Sequence, residues 1–132
     1  MLYAVGDIHG ENEMLSELLA KLPLVPGDRV IFVGDYVDRG PESKSVVEGK
    51  SANWRVDLGG CRMGKKETMF LDFLGWQGDA YFGGDAFLMN GGDRTLASYD
   101  YFSLAGPKQS DFALPEPHAE FFRRLKLHHR EG

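Results

Sequence analysis

Leu2-Tyr3-Ala4-Val5-Gly6-Asp7-Ile8-His9-Gly10 and, further on, Arg29-Val30-Ile31-Phe32-Val33-Gly34-Asp35-Tyr36-Val37-Asp38-Arg39-Gly40 repeat one arrangement: a short apolar run stops at Gly-Asp and opens into a polar loop. Runs of this length bounded by glycine read as buried strands, Leu2 to Val5 and Arg29 to Val33. Between them lies a helix signal. Glu11 and Glu13 sit where the positive end of the helix dipole favours acids, and Met14, Leu15, Leu18, Leu19 and Leu22 form an apolar stripe that ends at Pro23 and Pro26-Gly27. Strand, helix, strand predicts parallel pairing in an α/β sheet, where functional groups gather at the carboxyl ends of the strands. Asp7, His9 and Asp35 fall at those ends.

The rest of the chain continues the pattern more loosely. A helix is expected from about Glu42 to Glu48, with Pro41 suited to its first turn, followed by a weaker strand over Trp54 to Gly60. Another helix, Glu67 to Leu74, carries Met69, Phe70, Phe73 and Leu74. Beyond Gly75, glycines punctuate an aromatic-rich stretch. Thr95 to Tyr101 reads as a helical turn, and a last helix beginning near Pro115 to Pro117 packs Phe121, Phe122 and Leu125 inward. No repeat or low-complexity tract is present, so residues 1–132 are expected to form one domain.

Composition excludes several classes. The 132 residues are 42% apolar and 27% charged, which fits a globular chain rather than a disordered or fibrous one. A net charge of −5 argues against a nucleic-acid partner, whose phosphates call for a basic face. No apolar run approaches the roughly 18 residues of a membrane span, and no secretion signal precedes the first strand. The single cysteine, Cys61, has no partner for a disulfide or a Cys-x-x-Cys site, which fits a reducing compartment. A cytoplasmic location is expected.

Taken singly, Gly-Asp pairs are ordinary turn formers. Together, two carboxylates and an imidazole on adjacent strand ends make an oxygen-and-nitrogen cage suited to Mn²⁺, Fe or Zn²⁺. Asp7 and His9 reach one ion from a single loop, and Asp35 comes from the neighbouring strand. Such ions polarise a phosphoryl group and acidify water. Arg39 adds a planar fork of donors matched to phosphate oxygens.

Gly6-Asp7-Ile8-His9-Gly10, followed 28 residues later by Gly34-Asp35-Tyr36-Val37-Asp38-Arg39-Gly40, resembles the first two signature motifs of the phosphoprotein phosphatase family, within the calcineurin-like metallophosphoesterases. The resemblance implies that Asp7 and His9 bind a first metal and that Asp35 bridges two. It implies further that Asp38 orients a catalytic histidine and Arg39 grips phosphate, so that Asp38 and Arg39 are the catalytic candidates. Phe87 to Gly92 and Thr95 to Tyr99 look like a segment of the bacterial protein-phosphatase-like members, and Pro115 to Leu125 resembles a later family helix. The fold implied is a pair of sheets sandwiched between helices, of which this chain encodes the N-terminal part: a partial α/β metallophosphoesterase sandwich, truncated at the C-terminus. Exposed apolar edges and self-association are expected from such a part.

The third family motif, Gly-Asn-His-Glu, is represented by Gly64-Lys65-Lys66-Glu67. The family's metal-binding Asn and acid His are both lysines here, and a protonated ammonium has no lone pair for a metal. Lys65 and Lys66 otherwise read as a solvated helix start. The family's two later histidines have no counterpart before Gly132, and His128 and His129 read as a solvated tail. One divalent ion, Mn²⁺ foremost, is therefore expected in preference to two, with little turnover. The function expected is metal-dependent hydrolysis of a phosphorylated protein or small phosphoester, most like that of a serine/threonine protein phosphatase. The alternatives are a metal- or phosphate-binding fragment without turnover and a symmetrical dinucleoside polyphosphate hydrolase. More remote is a nucleotide-binding loop at Gly59 to Lys65, which lacks its hydroxyl because Lys66 stands at the Ser/Thr position.

Overall fold

In the computed structural model, which describes residues 1–52, 60–76, 83–101 and 112–127, the two apolar runs pair side by side. Strand β1 (Leu2–Val5) is parallel to β2 (Arg29–Phe32), with Leu2 opposite Arg29 and Val5 opposite Phe32. A parallel pair needs a crossover rather than a tight hairpin, and α1 (Asn12–Lys21) supplies it. Beyond β2 the sheet is extended by single parallel bridges, Phe32 with Cys61 and Arg62 with Lys126. The expected strand over Trp54 to Gly60 lies outside the described residues except for Gly60, whose carbonyl accepts the Phe32 N–H at 3.1 Å. Three segments thus leave the sheet at one end, into Gly6-Asp7, Gly34-Asp35 and Gly64-Lys65.

Helices α2 (Ser43–Ala52), α3 (Lys65–Phe73), α4 (Gly83–Phe87), α5 (Asp93–Ser98) and α6 (Glu116–Arg123) complete the described residues. The second runs about a turn further than its sequence signal. The fourth, and the wide turn over Leu88–Gly92 that joins it to α5, had no helical signal in the sequence. Gly91, at φ 93°, makes the kink there, in the left-handed region that glycine adopts without a Cβ clash. None of these helices is long and apolar enough to cross a membrane.

The core lies behind the sheet, where the helices meet β2. Val30, Phe32, Tyr36, Val37, Val46, Val47 and Phe70 are buried, as are Phe121 and Phe122 of α6. Phe70 stacks on Phe87 at 5.2 Å between centroids and meets Phe122 edge-on at 5.4 Å. Each fully buried aliphatic or phenyl side chain contributes roughly 1.5–3 kcal/mol, so this cluster holds α3, α4 and α6 together. Tyr36 ties the layers: its hydroxyl donates to the Phe32 carbonyl at 3.0 Å or the Arg62 carbonyl at 2.8 Å, and accepts the Arg62 N–H at 2.9 Å.

The stripe expected on α1 is only partly inward. Leu15 is buried, but Met14 is 66% and Leu18 44% exposed. The cause is the position of β1 at the sheet edge: among the described residues nothing pairs with its outer side, and Leu2 and Val33 are exposed there too.

Candidate metal and phosphate site

The two Gly-Asp loops are laced together by their backbones. The His9 N–H donates to the Asp35 carbonyl at 2.9 Å, Gly10 N–H to Tyr36 at 2.8 Å, and Gly40 N–H back to the His9 carbonyl at 2.9 Å. This lacing holds a conformation that side chains normally avoid. Six described non-glycine residues have positive φ, and five of them are Asp7, His9, Asp35, Asp38 and Arg39. Each such residue costs on the order of 1 kcal/mol or more and persists where surrounding contacts enforce it. The strain falls on the candidate site residues.

The outcome is convergence. One ligand atom from each of Asp7, His9 and Asp35 lies within 4.8 Å of the others. His9 Nδ1 faces the Val37 carbonyl at 3.4 Å. A proton on Nδ1 then points at that oxygen and leaves the Nε2 lone pair for a cation. Two carboxylates and one imidazole, exposed or half-buried, fit a divalent ion such as Mn²⁺, Fe or Zn²⁺. Among the described residues no other group of three acids, histidines or thiols has this closeness.

Asp35 is fixed from the side of α3. Its Oδ1 accepts the Lys66 backbone N–H at 3.1 Å, one of the free donors at the helix start. Glu67 holds the loop behind it: Oε2 accepts the Asp35 N–H at 2.8 Å and the Gly64 N–H at 2.9 Å, and Oε1 accepts the Tyr36 N–H at 2.6 Å. Glu67 is fully buried. Burial pushes its carboxyl above the ordinary range, and these N–H donors oppose that by favouring the ionised form. The amides of Gly64 and Lys66 at this helix start are bound to carboxylates, and Gly59 of the nucleotide-loop reading lies outside the described residues. The Glu67-to-Gly64 bond is the returning half of a capping box, a signal readable from the three-residue spacing.

Asp38 and Arg39 stand on the far side of the cluster. Asp38 is fully buried, its Oδ1 accepts the Thr95 hydroxyl at 2.6 Å, and its Oδ2 finds no partner among the described residues. Burial pushes the Asp38 carboxyl up to about 7, against the pull of the Thr95 hydrogen bond and the Lys66 charge. Arg39 is exposed; its backbone N–H donates to the Gly91 carbonyl at 3.1 Å, and its guanidinium has no partner among the described residues. It is free for an oxyanion.

The two lysines separate. Lys65 is exposed, as a solvated helix start should be, whereas Lys66 is only 5% exposed and donates from Nζ to the Asn90 carbonyl at 2.9 Å. The solvated reading of Lys66 is therefore corrected: the wide turn before α5 covers it. Thr95, Ser43 and Asn90 were not among the sequence candidates. The Thr95–Asp38 contact spans 57 residues with no spacing signal, although Asn90-Gly91-Gly92 had stood out as a motif. His128 and His129 lie outside the described residues.

Comparison with known proteins gives consistent matches. The family model described as calcineurin-like phosphoesterase matches residues 2–131. Serine/threonine-protein phosphatase 2 of Escherichia coli is 38% identical over 93 residues, covering 70% of this chain and 38% of the relative. A symmetrical bis(5'-nucleosyl)-tetraphosphatase of Janthinobacterium is 48% identical over 46 residues, covering 34% of this chain and 17% of the relative. A solved protein serine/threonine phosphatase from Saccharomyces cerevisiae superposes with a TM-score of 0.52 at 18% identity, over 94% of this chain and 32% of that one. The chain thus spans well under half the length of these relatives.

Proposed function

The chain belongs to the calcineurin-like phosphoesterase family, and from that premise we propose that it binds one divalent ion, Mn²⁺ foremost, at Asp7, His9 and Asp35 and presents a phosphate ester to water for hydrolysis. The observation that carries this is the convergence of those three side chains within 4.8 Å on strained, cross-laced loops. A divalent ion bound there supplies Lewis acidity, polarising a phosphoryl oxygen and lowering the pKa of water. The protein's own groups do the rest. Glu67 and the start of α3 orient Asp35, the Val37 carbonyl sets the His9 tautomer, and Arg39 offers paired donors to phosphate oxygens. Asp38, buried and bound to Thr95 and Ser43, anchors the loop that carries Arg39.

A phosphoserine or phosphothreonine protein is the substrate class we favour, because similarity to the bacterial phosphatase runs over 93 residues. A dinucleoside polyphosphate is the second reading, favoured by the higher identity to the tetraphosphatase across the shorter segment of 46 residues. Turnover is slow in either case, since Lys66 stands where the resemblance calls for a proton-donating histidine. The unpaired Cys61 supports a cytoplasmic location. Hydrolysis of p-nitrophenyl phosphate with Mn²⁺ tests the function. We expect weak, Mn²⁺-dependent activity that falls by at least about tenfold in Asp35→Asn, and equal rates in the two proteins would refute the assignment.

A further inference from the structure

The apolar stripe of α1 is wider than the part that its own chain covers. Leu15 is buried, whereas Met14 and Leu18 are exposed and line a groove beside Val5, Gly6 and Ile8. Glu11 and Lys21 stand at the two ends of the same face, because positions 11, 14, 18 and 21 follow one another at helical spacing. Acid, two apolar residues and base complement themselves when the order is reversed. Against an antiparallel copy, Glu11 meets Lys21 and Met14 meets Leu18. Lys21 can turn to that contact, since its own pair with Glu17 is long, 3.7 Å, and both side chains are well exposed. The strand below has matching room. The Met1 and Val5 carbonyls accept the Arg29 and Val33 N–H groups at 2.9 Å each, so alternate residues bond towards β2, and Leu2 and Ala4 turn their N–H and C=O groups outward. Both are exposed, and among the described residues nothing pairs with that side.

We propose that this flank is an interface between two copies of the chain, related by a two-fold axis, with α1 packed antiparallel on its own copy and β1 paired antiparallel with β1. A two-fold interface must be self-complementary. The face from Glu11 to Lys21 meets that condition in the antiparallel sense alone, because a parallel pair would set Glu11 on Glu11 and Lys21 on Lys21. The spacing agrees. A crossover helix packs over its strand pair, about one strand spacing from an axis at the β1 edge, so the two helices come roughly 9–10 Å apart, an ordinary packing distance. Burial of Met14 and Leu18 carries the affinity, while the rim ion pairs set the orientation. A single helix of 10 residues is short for a dimer contact, and the backbone groups of the open strand edge add to it. Neither the ion nor a substrate is needed.

Sedimentation equilibrium of the full chain without metal, from about 1 to about 200 µM, tests this on wild type, Leu18→Lys, Lys21→Glu and the charge exchange Glu11→Lys with Lys21→Glu. We expect a monomer–dimer equilibrium in the micromolar range. Leu18→Lys weakens it by about tenfold or more and Lys21→Glu by about threefold or more, and the exchange returns it to within about twofold of wild type. A wild type that stays monomeric throughout, or that grows past the dimer, overturns the proposal. So does a dimer indifferent to Leu18→Lys, or an exchange variant no tighter than Lys21→Glu. Thermal midpoints at the lowest concentration confirm that each variant folds. Should one fail, hydrogen exchange of wild type decides: the Leu2 and Ala4 amides must gain protection as concentration rises, and rates that stay the same overturn the interface.

Discussion

Asp38 shows how a single carboxyl links the site to stability. Its acid form is favoured by burial up to about 7, against an ordinary value of about 4. Between those two values the folded protein holds a proton that the unfolded chain has released. Asp38 therefore contributes most at low pH, and its contribution falls as pH rises from about 4 to about 7. In metal-free protein we expect the stability of wild type relative to Asp38→Asn to drop by about 2–3 kcal/mol between pH 5 and pH 8, read from urea unfolding. Parallel pH profiles for the two proteins would show that Asp38 is ionised throughout. At this scale the convergence of Asp7, His9 and Asp35 was legible in the sequence, because strand-ending Gly-Asp pairs announce the turns that bring them together. The burial of Lys66 was not, since its cover, Asn90, lies 24 residues away and contacts it through a backbone carbonyl that any residue could supply.

Elements were legible where apolar periodicity was strong. The strand Leu2–Val5 and the helices around Phe70 and Phe121 stand where their patterns put them. The α4 helix and the wide turn escaped because their glycines read as loop, and only contact with Arg39 gives Gly91 its structural purpose. Another glycine decides how β2 meets α3. Gly34, at φ 109°, lies so close to the third segment that a Cβ would sit 2.5 Å from the Gly64 nitrogen and 2.6 Å from its Cα, backbone atoms that cannot step aside. The Gly34→Ala change should cost about 2–4 kcal/mol, from left-handed strain and the forced separation of the two loops. Denaturant unfolding would show it, together with weaker Mn²⁺ binding as Asp35 moves off Glu67. A cost under about 0.5 kcal/mol, the range of ordinary surface changes, would mean that the loops are not packed as described.

On the scale of the whole molecule, fold and charge balance are uneven. One flank is closed by aromatic packing between α3, α4 and α6, while the β1 flank leaves Leu2 and Val33 exposed, and exposed Met14 and Leu18 line an apolar groove of about 310 Å³ that reaches Asp7. The solved phosphatase extends well beyond what this chain covers, and Met14 and Leu18 of α1 stay exposed. At the site Asp7, His9 and Asp35 converge while the Lys66 ammonium is buried facing Asp38, which fits one divalent ion. Titration calorimetry of metal-free protein with Mn²⁺ tests this most directly. We expect one tight site per chain, abolished in Asp35→Asn and in His9→Ala; two tight sites, or binding that survives both substitutions, would contradict it.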